Sequence, residues 1–393
     1  MNLIHRFTPS WRATRSLLLA GLVAGTAVAC SEPTALNQLP AGTLQLVPGL
    51  RAEDLSSDGS TILLTDPASA TAEFYFYDIA TSTSTLKGSA GDAMFDFTTG
   101  ISNGLRVSAI HGKPENAGLW QQASGWSDLG SIYSVGCAFS ENPTDVDESG
   151  GWDIDSAGHS AVGLVWNGCA AEAFLWSDAS GGGAFIALDN LGVPWPDSPN
   201  LPNSRATVIS DDGSTIGGWA QDTANIDGTT YGIDRRPTRW TSNGAGSKIP
   251  SGGVFTDDCP GEVLAIAGNG SLVAGVWCQF PFIWSAALGV VKPAPDGFFG
   301  YGQAVALNGQ LVFGTMQDGF FGTPVPFVWT QAGGTLSLLD IATANDIVLP
   351  PNYYWQSIVA ASADGTIVVG TAYDEAFVLN TYVLELPVSA YGL

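Results

Sequence analysis

One acidic stretch of the chain carries side-chain oxygens at the spacing of a calcium loop. Asp145, Asp147 and Ser149 hold the first, third and fifth positions, a glycine holds the sixth, and Asp153 holds the ninth. Oxygen ligands at these positions, with glycine at the turn, are typical of calcium-binding loops. The twelfth position is Ser156 instead of glutamate, so a solvated acidic loop is the alternative. Calcium is the cofactor that this spacing suggests.

The cysteines are the second group that could do chemistry. The chain has five, of which Cys30 follows an apolar N-terminal segment. The other four are Cys137, Cys169, Cys259 and Cys278. In an oxidising compartment, four cysteines can form two disulfides. A zinc site would need close pairs such as C-x2-C, which the sequence lacks, so we expect disulfides.

Aromatic residues concentrate in segments between the apolar runs. Such rings offer flat apolar area with a polar edge, which suits recognition of a carbohydrate or a protein. The alternative is that they pack over the ends of the sheets. The candidate ligand-binding residues are Trp195, Phe298, Phe299, Tyr301, Phe320, Phe321, Tyr353, Tyr354 and Trp355.

Candidates for catalysis are few. The sequence contains no G-x-S-x-G, H-E-x-x-H or P-loop motif. No pair of carboxylates for glycoside cleavage can be singled out among 37 acidic residues. Four arginines could together bind a carboxylate, although pairing with the chain's own acidic residues is the simpler interpretation. They are Arg205, Arg235, Arg236 and Arg239.

The net charge of −24 argues against a nucleic-acid partner, because an acidic surface repels phosphate backbones. Excess acidic charge also keeps a protein soluble, which is the simplest interpretation of the composition.

The N-terminus has the pattern of an export signal. Three arginines precede a short apolar run over residues 16–26, which is too short for a permanent membrane span. Ala27-Val28-Ala29-Cys30 follows and resembles the lipobox of bacterial lipoproteins. This resemblance implies that Cys30 becomes a lipidated N-terminus at the outer membrane or cell surface. Plain secretion is the alternative.

Seven turn dipeptides divide the rest of the chain into repeats. They are spaced by 39 to 57 residues, which is typical of a propeller, solenoid or array. Because Asn-Gly and Asp-Gly tolerate positive φ, they predict two-residue hairpins. The dipeptides are Asp58-Gly59, Asn103-Gly104, Ala157-Gly158, Asp212-Gly213, Asn269-Gly270, Asn308-Gly309 and Asp364-Gly365.

Each repeat reads as four short strands, which predicts an all-β, seven-bladed β-propeller, with six or eight blades as alternatives. Five repeats place a glycine five residues after the turn glycine, where a side chain would obstruct packing or a bulge. The third strand usually ends in tryptophan, which we expect to fill the gap between blades. In the last repeat, Leu379 stands at this position.

These repeats resemble the bacterial extracellular HAF repeats, in which S-x-D-G-S-x-x-x-G precedes A-F-x-W. Residues 210–218 match the first motif and 173–176 the second, with 362–365 and Phe377 in the last repeat. The resemblance covers most of residues 52–386. It implies a surface-exposed propeller without a defined activity.

The two ends of the chain are expected to close the ring. The last repeat lacks the turn before a fourth strand, and residues 43–48 look like a spare strand. Pairing them would remove the exposed edges. The predicted organisation is a signal peptide over residues 1–29, an anchor and tether over 30–42, and one propeller over 43–393.

The predicted propeller places the long loops on one face and the short turns on the other. Cys137 and Cys259 fall in segments between blades, and Cys169 and Cys278 come just after second strands. All four therefore map to the loop side, and Cys137–Cys169 and Cys259–Cys278 are plausible pairs. The favoured function is a lipid-anchored binding or scaffold module for a glycan or an envelope protein. A polysaccharide-active glycosidase or lyase, with its site in the central funnel, is the alternative. A purely structural envelope component is a third possibility.

Overall fold

The computed structural model describes residues 42–91, 99–112, 116–130, 149–166, 170–193, 202–226, 229–256, 258–319 and 321–393. Within these ranges the chain forms seven four-stranded antiparallel sheets, the blades, arranged in a ring. The fold is a seven-bladed β-propeller, as the repeats predicted. Cys30, Cys137, Cys169, Trp195, Phe320, Asp145 and Asp147 lie outside the described residues.

The first strand of the chain, β1 (Thr43–Pro48), belongs to the last blade. Blades one to three then follow in chain order, each written from the centre of the ring outward. They comprise β2 (Arg51–Leu55), β3 (Thr61–Thr65), β4 (Glu73–Asp78) and β5 (Thr83–Ser89); β6 (Gly100–Ile101), β7 (Val107–His111), β8 (Asn116–Gln121) and β9 (Gly125–Asp128); and β10 (Ser149–Ile154), β11 (Ser160–Trp166), β12 (Ala171–Ser177) and β13 (Ala184–Ala187).

Blades four to seven complete the ring. They comprise β14 (Ser204–Ile209), β15 (Thr215–Ile226), β16 (Thr229–Thr241) and β17 (Gly246–Lys248); β18 (Gly261–Ile266), β19 (Val273–Trp277), β20 (Phe280–Ser285) and β21 (Gly289–Val291); β22 (Phe298–Ala306), β23 (Leu311–Asp318), β24 (Val325–Thr330) and β25 (Gly334–Ser337); and β26 (Tyr354–Ala361), β27 (Ile367–Tyr373) and β28 (Leu379–Glu385), with β1 outermost.

The two ends of the chain meet in blade seven. β1 pairs antiparallel with β28, so that Thr43 lies opposite Glu385 and Pro48 opposite Asn380. The predicted closure is confirmed. Both ends of the chain therefore contribute to one blade, which completes the ring with short outer edges only.

We call the face with the turns between first and second strands the hairpin face, and the opposite face the loop face. Most hairpin-face turns are longer than the predicted two-residue hairpins. In blade six, however, Asn308 and Gly309 both have positive φ and the amide of Gln310 donates to Leu307 O. In blade one the amide of Ser56 donates to Thr61 O, so that four residues intervene, and only Gly59 has positive φ. Asp58 accepts hydrogen bonds from Ser56 Oγ and from the amide of Ser60. Because these side chains satisfy the turn, only the glycine needs the left-handed region.

The repeated glycine is explained by bulges in the innermost strands. In blade five, β18 carries a bulge between Val263 and Ala265, and Gly275 of β19 pairs with Val263. A Cβ on Gly275 would overlap the carbonyl oxygen of Glu262, so a side chain there would push the bulged strand away. The same overlap with an innermost-strand carbonyl occurs at Gly163, Gly218, Gly314 and Gly370.

The tryptophans that end the third strands are core residues. Trp120, Trp176, Trp240 and Trp329 are buried, and Trp284 is half-buried. The alignment of the last repeat needs correction. Its register places Leu384 opposite Val368, as Trp240 lies opposite Ile216 in blade four. Leu384, not Leu379, is therefore the equivalent of tryptophan. Similarly, Tyr382 lies opposite Gly370, whereas Phe377 precedes β28 and is 74% exposed.

A short helix, α1 (Leu338–Ala344), follows β25 and was not predicted. Ser337 caps it by accepting a hydrogen bond from the amide of Asp340, which is an S-x-x-D signal that the sequence carries. Its apolar side packs into the core between blades six and seven. Among the described residues, no helix is long and apolar enough to cross a membrane.

Candidate functional site

The hairpin face is closed by a ring of hydrogen bonds, the turn belt, in which the turn of each blade is joined to the turn of the next. The seven links are Asp58 N to Asn103 Oδ1, Asn103 N to Ser156 O, Ser156 N to Asp211 O, Asp212 N to Gly268 O, Ser271 Oγ to Asn308 O, Leu307 N to Ala363 O and Ala363 N to Ser57 O. The blades are thus held together at the hairpin end by short, repeated contacts.

A central cavity of about 160 Å³ lies inside the ring and is lined by all seven blades. Its walls come from the innermost strands, and in six of the blades the additional residue of a β-bulge is among the lining residues. One lining residue from each blade, in order, is Glu53, Thr99, Trp152, Thr207, Leu264, Gln303 and Val359. The turn belt surrounds its hairpin end, where Ser57, Ser156, Asp211 and Ala363 line the wall.

Four acidic residues line this cavity, of which Glu53 is bound to Arg51 and the other three are aspartates. Asp54 accepts a hydrogen bond from the amide of Ile101, and Asp153 accepts one from Ile209, so each ties its own blade to the following one. Burial raises the pKa of Asp54 to about 7, and repulsion from Asp211 adds to it. Burial and repulsion from Asp54 raise the pKa of Asp153, and burial raises that of Asp211. Burial therefore favours the protonated form of these three acids, and no Lys, Arg or His is among the described residues that line the cavity.

The candidate arginines are paired inside the protein. Arg205 and Arg235 bind the two oxygens of the buried carboxylate of Glu262, at 2.5 and 3.1 Å. The guanidinium group of Arg205 also lies between the rings of Trp152 and Trp219, at 5.0 and 5.7 Å from their centroids. This arrangement locks one side of the cavity mouth, across blades three to five, in an internal charge pair.

The other two arginines follow the same rule. Arg236 binds Asp222 at 3.2 Å, and Arg239 lies over the ring of Trp284 at 5.2 Å. Pairing with the chain's own acidic residues, the simpler of the two sequence-based interpretations, is therefore what the structure shows for Arg205, Arg235 and Arg236. The exposed clamp for a ligand carboxylate is not formed by these three side chains.

A pocket on the loop face, which we call the glutamine pocket, lies between blades five, six and seven. Its volume is about 290 Å³. Aromatic rings and neutral amides line it, chiefly Phe299, Tyr301, Gln279, Gln303, Gln317 and Gln356. Gln303 also lines the central cavity, so one residue borders both spaces. Amides both donate and accept hydrogen bonds, so this wall can hold a ligand rich in hydroxyl groups.

A disulfide supports one wall of the glutamine pocket. The structure joins Cys259 to Cys278, with their Cα atoms 4.9 Å apart. Cys278 and Gln279 form the two-residue turn between β19 and β20, and both have positive φ. The amide of Gly300 in β22 donates to Gln279 O at 2.8 Å. The disulfide therefore fixes a strained turn that carries one pocket residue, and this turn braces the strand that carries three other pocket side chains, Phe299, Tyr301 and Gln303.

Stacked rings lie behind the pocket. Phe299 stacks on Phe280 at 5.3 Å, and Phe255 lies between Phe280 and Trp277 in nearly parallel planes. The nearly parallel rings hold the aromatic wall of the pocket in one orientation. Tyr301 projects from β22 in front of this layer and is 50% exposed.

The predicted ligand-binding aromatics occupy different environments. Phe299 and Tyr301 meet in the glutamine pocket, while Tyr354 is exposed and stacks on Phe377. Trp355 is buried against Tyr382, so it packs as core. Half-buried Phe298 and Tyr353 and exposed Phe321 do not line the pocket. Phe298 to Tyr301 and Tyr354 to Trp355 were expected in linkers, but β22 and β26 extend over them because these strands run further toward the loop face.

The described part of the calcium stretch is a strand. Ser149 and Asp153 lie in β10, where Ser149 Oγ accepts from the amide of Ala117. The calcium loop stays a prediction, because its first two ligand positions, Asp145 and Asp147, lie outside the described residues. Within the described residues, no group of three or more His, Cys, Asp or Glu side chains could hold a metal ion.

No family model matches the sequence, and no curated protein matches it. Solved structures are similar in fold. An oligogalacturonate lyase in complex with manganese shares 14% identity over 88% of this chain and 92% of its own, with a TM-score of 0.52. The oligogalacturonate lyase of Vibrio parahaemolyticus is 13% identical over 88% of this chain and 92% of its own, also with a TM-score of 0.52. A β-propeller domain from Myceliophteria thermophila is 10% identical over 87% of this chain and 97% of its own, with a TM-score of 0.50. At these identities the likeness concerns the fold alone.

Proposed function

We propose that this chain is a lipid-anchored recognition module of the cell envelope, which binds a neutral glycan on its loop face without transforming it. The observation that supports the proposal is the glutamine pocket. Four glutamine amides and two aromatic rings converge there from three blades, and none of these six side chains is charged. A sugar can stack on the face of an aromatic ring while its hydroxyl groups form hydrogen bonds with neighbouring amides, and the pocket offers both.

The charge distribution favours a neutral ligand. The chain has a net charge of −24, so an acidic polysaccharide would be repelled on approach. The arginines that could compensate for this, Arg205 and Arg235, are engaged with Glu262. A neutral glycan avoids both costs.

The place where the chain enters the propeller supports an anchored orientation. Thr43 begins β1 opposite Glu385, and Leu386 beyond it bonds to Thr366 beside the Asp364-Gly365 turn, on the hairpin face. A tether from Cys30 would join this face. The loop face with the glutamine pocket would then point away from the bilayer, toward ligands. Two acyl chains suffice for stable membrane attachment, so a lipidated Cys30 would hold this orientation.

The test is a glycan array probed with the full chain purified in detergent, followed by product analysis on any ligand. We expect neutral glycans to bind and to be recovered unchanged. Tyr301→Ala should abolish the signal, whereas Phe377→Ala, which removes an exposed ring outside the pocket, should not. Cleaved product would overturn the non-catalytic function and favour the glycosidase or lyase. Binding that survives Tyr301→Ala would overturn the assignment of the pocket, and silence across the array would favour a protein partner.

The anchor has a separate test. Cells that express the chain are labelled with an alkyne-tagged fatty acid and compared with a Cys30→Ser strain. We expect label in the chain only when Cys30 is present, with the chain lost from the membrane fraction in the variant. Equal labelling of both strains would refute lipidation at this residue.

A further inference from the structure

We propose that the central cavity is a second binding site, which receives a primary ammonium group carried on a slender chain. The inference goes beyond the loop-face glycan site and does not depend on it. It rests on the acidic groups that face the cavity, which lack a cation among the described residues, and on one hydroxyl group there, which lacks a hydrogen-bond partner among them.

The first observation is a group of acids without a cation. Glu53, Asp54, Asp153 and Asp211 all line the cavity, and no described lining residue is Lys, Arg or His. Glu53 is bound to Arg51, which leaves the three aspartates. Buried carboxyl groups without a cation avoid the cost of ionisation by taking up protons, so a positive ligand that pairs with them as carboxylates would be favoured here.

The second observation is an unused hydroxyl. Thr99 lines the same cavity, is only 5% exposed, and its Oγ1 makes no hydrogen bond with any described residue. A hydroxyl oxygen can accept a hydrogen bond from an ammonium group. A buried polar atom without a partner is uncommon in a native protein, so it indicates a group that is satisfied by a ligand or by water.

The third observation is that the carboxylates are already oriented. Asp153 Oδ1 and Oδ2 accept from the amides of Ile154 and Ile209, and Asp54 Oδ2 accepts from Ile101, all at 2.8 Å. Each carboxylate oxygen retains a second lone pair for a ligand. Because backbone amides hold them, the acceptors are fixed before any ligand arrives, which lowers the entropic cost of binding.

The spacing of the acids favours an ammonium group over a metal ion. No group of three acidic, histidine or cysteine side chains among the described residues is close enough to hold a metal. A cavity of about 160 Å³ also exceeds what a bare ion fills. An ammonium group carries three hydrogens that can reach separate acceptors, and the attached chain fills the remaining volume. The turn belt surrounds the hairpin end, so the ammonium end would enter from the loop face.

Isothermal titration calorimetry tests the proposal with 1-butylamine and its neutral isostere 1-butanol, on the full chain in detergent at about pH 8. At this pH the amine is protonated, and the pH lies above the pKa of Asp54, which burial raises to about 7. We expect the amine to bind at least about tenfold more tightly than the alcohol, as is usual when a charged hydrogen bond is gained. Asp54→Asn should reduce amine affinity about tenfold, because the amide can still accept from Ile101 but carries no charge.

The control variant is Asp296→Asn, which removes the same charge from an exposed site and should bind the amine like the parent chain. Circular dichroism of both variants shows whether each is folded, and Asp153→Asn serves in place of Asp54→Asn if the latter fails to fold. Equal affinity for amine and alcohol overturns the proposal, as does equal loss in the two variants. Tight calcium binding that the amine cannot displace would assign the cavity to a metal ion and also overturn it.

Discussion

The two ends of the central cavity are stabilised in different ways. At the hairpin end, short turns of repeated sequence join each blade to the next through the turn belt. At the loop end, the walls of the glutamine pocket come from segments that differ from blade to blade, such as the two-residue Cys278-Gln279 turn and the extended β22. Local hydrogen bonds hold the first end, whereas a disulfide and stacked rings hold the second.

This difference assigns stability mainly to the hairpin end and ligand binding to the loop end and the cavity. The aspartates of the repeated turns and those of the cavity show it in their pKa values. Partial burial raises the pKa of Asp58 and Asp212, but hydrogen bonds from neighbouring serines outweigh burial and lower it. In the cavity, burial prevails and raises the pKa of Asp54 and Asp153. The turn acids stabilise the fold as anions, whereas the fold favours the protonated form of the cavity acids.

Removing the disulfide should have the largest effect on stability and should sharpen the contrast. Its cysteines are 19 residues apart, and cross-links over loops of this size contribute about 3 kcal/mol. We expect Cys259→Ser with Cys278→Ser to lose about this much free energy of unfolding. Glycan binding should weaken as well, because Gln279 loses its support. Urea unfolding and the array signal measure the two effects. A stable variant with full glycan affinity would contradict the role of the disulfide at the loop end.

The cavity acids should make stability depend on pH. The folded-state pKa of Asp54, about 7, lies above its ordinary value of 3.8, so the fold binds this proton more tightly than the unfolded chain does. Its stabilising contribution is complete below about pH 4 and is lost as the pH rises through about 7. Asp54→Asn should remove this loss and increase stability by about 2 to 4 kcal/mol above pH 7.

Urea unfolding at several pH values measures this effect, and Asp296→Asn is the control because Asp296 is exposed. The control should keep the pH dependence of the parent chain. If Asp54→Asn instead destabilises the fold at every pH, the carboxylate is needed as an anion for the contact between blades one and two.

At the hairpin end, a single turn serine should contribute to stability but not to ligand binding. Ser210 Oγ donates to Asp212 at 2.7 Å and accepts from the amide of Thr215, and the residue is fully buried. Ser210→Ala leaves that amide without a partner and should cost about 1 to 2 kcal/mol. Ser180→Ala, at an exposed turn, should cost almost nothing. Glycan binding should be unchanged in both, and a loss of binding in Ser210→Ala would show that the two ends are coupled.

The repeats predicted most of the fold because their signals are local. Turn residues, the glycine opposite each bulge and the tryptophan at the end of the third strand each occupy a fixed position within a blade, so the sequence displays the turn seven times and the glycine and the tryptophan five times each. The error in the last repeat has a physical cause. Leu384 replaces tryptophan there and β1 supplies the fourth strand, so the local pattern changes where the two ends of the chain join.

The site was predicted less well because it is assembled across blades. Phe299 and Tyr301 were candidates, but no local pattern marks the four glutamines that surround them, which come from different blades. The cavity acids Asp54 and Asp211 were equally hidden. Each lies next to a turn whose repeated Ser and Asp dominate the pattern, and only closure of the ring brings them to one space.

The smallest effect on stability, and a selective effect on binding, is expected at Tyr301. The side chain is 50% exposed and stands in front of the stacked rings, so Tyr301→Ala should change the free energy of unfolding by no more than about 0.5 kcal/mol. Its loss should nevertheless weaken glycan binding about tenfold or more, as for an aromatic residue at the centre of a binding site. Phe377→Ala is the matched control, since Phe377 is exposed but lies outside the pocket. If the two variants bind the glycan alike, the loop end recognises its ligand through a broad aromatic surface and not through this pocket. If Tyr301→Ala unfolds the chain, the loop end contributes to stability as the hairpin end does, and the two ends do not divide stability and binding between them.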